Sequence, residues 1–75
     1  MTKSEFLIEL EDILQRDEPC AENDLSEDYD EWDSLSKMAL MAYFDKHFSV
    51  KLSLDSFQNL KTVADLIALS QGQVA

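Results

Sequence analysis

One cysteine, one proline and one glycine in 75 residues leave few of the devices that lock a short chain. A lone Cys20 excludes an intramolecular disulfide framework and a cysteine-based zinc site. Scarce glycine and proline disfavour a turn-rich β-sandwich or barrel and favour helices joined by polar loops. Bases are scarce too, six against sixteen acids, for a formal net charge of −10. That field repels nucleic-acid phosphates and anionic membrane surfaces and attracts basic protein patches, so neither nucleic acid nor membrane is an expected partner. No segment approaches the roughly 18 consecutive apolar residues of a membrane span. The opening MTKSEFLIEL enters an acidic amphipathic pattern without the apolar core of a signal peptide. The expectation is a cytoplasmic monomer in a reducing compartment.

What is present is an ordinary hydrophobic share, 45%, enough for one small core and against wholesale disorder. Residues 1–75 are expected to form a single domain, burying only about 60% of its unfolded surface. Residues 2–16 read as a helix: Phe6, Leu10, Ile13 and Leu14 fall at i, i+4, i+7 and i+8, with Leu7 widening the stripe. Thr2 and Glu5 fit a capping box, and Pro19 makes continuation past Glu18 unfavourable. From Asp17 to Asp33 the chain carries nine acids in seventeen residues with no sustained apolar period. This reads as a long loop with one helical turn, pinned by Leu25 and Tyr29; loops of that length are often functional.

A second helix is expected from Ser34 to His47 or Phe48, capped by Asp33, with Leu40, Met41, Phe44 and Phe48 at helical spacing. Val50 to Leu54 alternates like a strand but has no partner strand, so it reads as an extended connector into a short helical turn near Asp55 to Leu60. A last helix starts at Thr62, whose pairing with Asp65 is another capping box, and Gly72 fits its stop. The predicted architecture is all-α: a small antiparallel four-helix bundle, three main helices plus one short one, with a long first loop. Its predicted core comprises Phe6, Leu10, Ile13, Leu40, Phe44, Phe48, Leu54, Val63 and Ile67.

Catalytic constellations are missing. Cys20 and His47 are the only residues of their kinds, and nothing in the sequence specifies a dyad or an orienting third group. His47 reads as a favourable charge near a helix end, and Cys20 as an incidental thiol whose neighbouring carboxylates raise its pKa. A calcium-binding hand needs glycine at loop position six and glutamate at twelve. Counting from Asp24 gives Tyr29 and Leu35; counting from Glu22 gives Glu27 and Asp33. Neither register works, so no metal ligand and no catalytic residue is expected.

Ser34 stands apart from this inventory. Serine at a helix start can simply cap it, but Asp33 already fills that role. Ser34 then occupies the first turn with its hydroxyl toward solvent, beside the apolar Leu35 and Met38. An exposed serine in an acidic domain without catalytic apparatus suits a substrate of another protein.

These residues resemble an acyl carrier protein. The resemblance runs from the first helix to about Ser70 and rests on Asp33-Ser34-Leu35, on Leu40, Phe44 and Phe48 in the next helix, and on the LKTVADLIAL ending. In that family the serine of such a motif carries 4'-phosphopantetheine through a phosphodiester. The resemblance implies Ser34 as the covalent attachment point, with Asp33 and Leu35 as its motif. It implies a non-catalytic carrier that holds acyl or aminoacyl intermediates as thioesters and presents them to biosynthetic enzymes. The implied partners are a phosphopantetheinyl transferase, bringing coenzyme A and Mg2+, and acyl- or aminoacyl-loading and condensing enzymes.

The chain departs from the family in its second helix. Residues 34 to 48 hold one acid, Asp45, against Lys37 and Lys46; the family often has acids at the positions of Ser36, Ala39 and Lys46. Trp32 stands where a small or aliphatic residue is more usual, either packing the loop or adding a contact near Ser34. The expected partner strip is Leu35, Met38 and Ala42, with Trp32 beside it. These departures imply a specialised stand-alone carrier rather than the general fatty-acid carrier, with an unusual acyl chain, a polyketide unit or an aminoacyl group as cargo. The alternative is an unmodified acidic helical adaptor whose 17–33 loop docks on a basic partner.

Self-repulsion at this net charge destabilises a small fold, so added salt or millimolar Mg2+ is expected to raise its melting temperature. A thermal scan indifferent to both would refute that expectation.

Overall fold

Thr2 begins the fold as its sequence predicts. Its hydroxyl accepts from Glu5 N at 3.1 Å while the Glu5 carboxylate accepts from Thr2 N at 2.9 Å, closing a capping box. The computed structural model describes all 75 residues, and the helix so started, α1, spans Lys3–Leu14. It ends before Pro19 can act, because Gln15 turns left-handed at φ 54° and Arg16 N reaches back to Glu11 O. α2 runs Ser34–Phe48 and closes the same way at Ser49, φ 56°. α3 is Val63–Ala68, opened by the Thr62–Asp65 capping box.

The architecture is all-helical, three α-helices and no strand. The expected short fourth helix is a four-residue 3₁₀ turn, Leu54–Phe57, and the turn expected inside the acidic loop is another, Ser26–Asp28. α3 is shorter than its predicted run to Gly72. Beyond Ala68 the bonds tighten to i→i+3, Ser70 Oγ takes the Ile67 carbonyl at 2.7 Å, and Gln71 and Gly72 both turn to positive φ. Gly72 therefore ends a turn, not the helix itself.

The aromatic centre of the core is local to two helices. Phe6 meets Phe44 edge-on at 5.9 Å between ring centroids, and Phe44 meets Phe48 at 5.0 Å. Seven of the expected core residues are buried: Phe6, Leu10, Leu40, Phe44, Phe48, Val63 and Ile67. Two are not. Leu54 is 56% exposed, because the 3₁₀ turn it opens rotates Phe57 inward instead. Ile13 is half-buried, and its neighbour Leu14 takes the interior position at the end of α1. Leu60, Leu66, Val50 and Val74 complete the interior from segments whose apolar period is short or absent.

The seventeen-residue loop is held by backbone pairing with the entry to α3. Ser26 N donates to Lys61 O at 3.0 Å, while Val63 N and Ala64 N donate to Asp24 O and Glu22 O. The first-turn N–H groups of a helix lack internal partners, and here loop carbonyls satisfy two of them. Tyr29 is buried as expected, but Leu25 is 47% exposed and joins the pinning only through its backbone bridge to Thr62. No helix is long and apolar enough to cross a membrane.

Replacing Phe44 by alanine is expected to cost roughly 3–5 kcal/mol, comparable to the whole stability of so small a domain. Leu54→Ala should stay within about 0.5 kcal/mol, as substitutions away from packed sites do. Urea denaturation of the two variants checks the reversal; similar midpoints would contradict this core.

Candidate functional site

The entry to α2 is built by three consecutive hydrogen-bonding choices. Asp33 sits in extended backbone, and its carboxylate accepts from Ser36 N at 2.9 Å. Its carbonyl accepts the first helical bond, from Lys37 N. Ser36 turns its hydroxyl back to Glu31 O at 2.7 Å, and that same carbonyl accepts from Asp33 N at 3.0 Å. Ser34 is left exposed at the first helical position with no hydrogen bond from its hydroxyl to the chain. The sequence prediction that Asp33 caps and Ser34 stays free matches this geometry.

A residue the sequence reading passed over holds this entry in place. The Arg16 side chain, 14% exposed, donates to the Glu31 carboxylate at 3.0 Å and approaches Glu18 at 3.4 Å. Its guanidinium lies 4.0 Å from the centroid of the Tyr29 ring. Burial works against its charge, but the hydrogen bond and charge of Glu31 outweigh it and raise the pKa above the usual arginine value. Arg16 thus ties the end of α1 to the Glu31 segment on which Ser36 is anchored. A lone base in an acidic run was the available signal; its burial was not.

Cys20 and His47 are not brought into a dyad. Cys20 is buried, and burial first, then the Glu11 and Asp24 carboxylates, push its thiol pKa up. His47 is exposed near the end of α2, stacked on Tyr43 at 4.2 Å. The Tyr29 hydroxyl donates to Asp24 at 2.8 Å, and burial reinforced by that bond pushes its pKa up.

The outer face of α2 is apolar. Leu35 is 76% exposed and Met38 56%, and Ala39 and Ala42 are exposed at i+4 and i+7 from Leu35. Ala39, noted in the sequence only as a position where the family often has an acid, joins this apolar strip. Trp32 is half-buried, edge-on to Phe57 at 5.8 Å between centroids, so it does pack the loop. Two open grooves flank the strip. One of about 710 Å³ lies between Ile13 at the end of α1, the Gln15 that caps it, and Glu31, Asp33, Leu35 and Met38. Another, about 460 Å³, runs between Met38, Met41 and Ala42 and the connector at Lys51 and Leu52.

The Asp33 carboxyl is held below the usual aspartate value near 3.8, first by the Ser36 N–H. Its folded pKa is thus below the unfolded one, so its contribution to stability is present above the unfolded value and lost as pH falls through the folded one. Asp33→Asn keeps a capping oxygen without the titrating proton. Below about pH 4 the wild type should therefore lose stability relative to this variant. Denaturant midpoints that fall in parallel for both proteins would contradict this.

A family model described as a phosphopantetheine attachment site matches residues 7–70. No curated protein and no solved structure gives a significant match. The family consists of carrier domains, generally non-catalytic, that bear a covalently attached 4'-phosphopantetheine. They work with a phosphopantetheinyl transferase and with acyl-handling enzymes. The entry to α2 fits such a group: an exposed, unpartnered serine hydroxyl, with the helix cap satisfied by another side chain. With about 85% of its length matched and a site of the right chemistry at the head of α2, the chain belongs to the phosphopantetheine attachment family of carrier domains.

Proposed function

We propose that Ser34 carries the phosphopantetheine and that the protein holds acyl or aminoacyl intermediates on it as thioesters, presenting them to biosynthetic enzymes. The observation that carries this reading is the division of labour at the helix start. Asp33 spends its carboxylate on the cap, and Ser34 Oγ remains exposed and unpartnered. A serine hydroxyl without a base is inert, so its activation belongs to the transferase. The prosthetic group supplies the thiol on which acyl groups ride, and this chain supplies attachment and recognition.

The partner surface in this reading is Trp32, Leu35, Met38 and Ala42, extended by Ala39. An exposed apolar strip of this kind on one helix face supports docking of another protein. The sparsely acidic α2 supports enzymes of a specialised acyl, polyketide or aminoacyl pathway rather than a general fatty-acid synthase, and a cytoplasmic monomer serves such a role. The buried thiol and the separated His47 give no support to catalysis by the chain itself.

Incubating the apo protein with coenzyme A, Mg2+ and a promiscuous phosphopantetheinyl transferase should add one phosphopantetheine by intact mass, and Ser34→Ala should abolish it. Unchanged mass with several competent transferases would sink the proposal. An unmodified adaptor would instead keep its binding in Ser34→Ala and lose it steeply with salt.

A further inference from the structure

We propose that Lys37 is the phosphate-binding side chain of this carrier, leaving the face of Trp32 to pair with the phosphodiester on Ser34. The proposal rests on the attachment reading above and goes beyond it by assigning a residue to the phosphate. Lys37 lies three positions after Ser34 on α2, so the two side chains are helical neighbours with Cβ atoms about 5–6 Å apart. Helical side chains lean toward the N-terminus, which directs the lysine stem back over the serine. The flexible four-carbon stem and three donors of the ammonium suit a phosphate in that position.

Lys37 is also uncommitted. The three salt bridges of the chain use Lys3 and Arg16 as their bases. The acids near the α2 entry are otherwise engaged or turned outward: Glu31 holds Arg16, Asp33 holds Ser36 N, and Asp30 is exposed. The Lys37 ammonium rests 5.6 Å from the Trp32 ring centroid, near the outer limit of about 6 Å for a cation–π contact. A weakly held charge moves readily to a stronger partner.

The need for it follows from the surroundings. A phosphodiester adds a negative charge beside Asp30, Glu31 and Asp33, in a domain already at −10. The amino end of a fifteen-residue helix offsets part of that repulsion. Lys37 is the only base in the first two turns of α2; Lys46 lies roughly 18 Å from Ser34 along the axis at 1.5 Å per residue.

The test compares wild type, Lys37→Gln and Lys37→Arg, with loading of each verified by intact mass. Lysine and glutamine are similar helix formers, so the apo proteins should melt alike. In the loaded proteins the phosphorus resonance of Lys37→Gln should be displaced from that of wild type, and Lys37→Arg should lie close to wild type. On loading, the Lys37 ε-methylene resonance of the wild type should move and that of Lys46 should stay. A phosphorus resonance unchanged in Lys37→Gln, or a Lys37 signal that moves no more than that of Lys46, overturns the role of Lys37 while leaving attachment intact. Failure of every protein to gain mass defeats the attachment reading and this proposal together.

Discussion

The largely shielded guanidinium of Arg16 is the contact around which the acidic half of this domain is arranged. Nine acids between Asp17 and Asp33 must be brought back against a domain that is itself negative. Arg16 bridges Glu31 and Glu18 and covers the Tyr29 ring, so one side chain gathers both ends of the loop. A mostly desolvated, planar cation with several donors is suited to that role in a way a lysine is not. The Glu31 carbonyl then receives Ser36 Oγ and Asp33 N, and the entry to α2 inherits its geometry from the end of α1.

That entry frees Ser34 by satisfying everything around it. The cap is made by Asp33, the next hydroxyl is spent on Glu31, and the loop behind is paired to α3 through its backbone. α2 itself is apolar on both sides. Leu40, Phe44 and Phe48 enter the core, while Leu35, Met38, Ala39 and Ala42 face solvent. Here one side is left uncovered, and most of the negative charge lies in the preceding loop.

Much of this was legible in the sequence because much of it is local. Thr2 with Glu5, Asp33 with Ser36 N and Thr62 with Asp65 are contacts across three positions, so the residue types carry the geometry with them. The Phe6, Leu10, Phe44 and Phe48 faces were equally readable, since their spacing repeats with the helix. Segments without a period were not. Leu54 and Phe57 are equally apolar, and the handedness and tightness of a 3₁₀ turn chose between them. Leu25 looked like the anchor of the acidic loop, yet the anchoring is done by its neighbours' backbone groups, which every residue possesses.

The amino-acid sequence by itself determined the helices, their starting residues, the position of Ser34 at one of those starts and the family to which the chain belongs. Each depends on side-chain type at short range. Only the tertiary structure decided that Arg16 is half-buried and paired with Glu31, that Trp32 packs on Phe57, and which face of α2 remains uncovered. Those are contacts between segments far apart in the chain, selected by how the packed helices leave space and charge unsatisfied, and no local pattern encodes them.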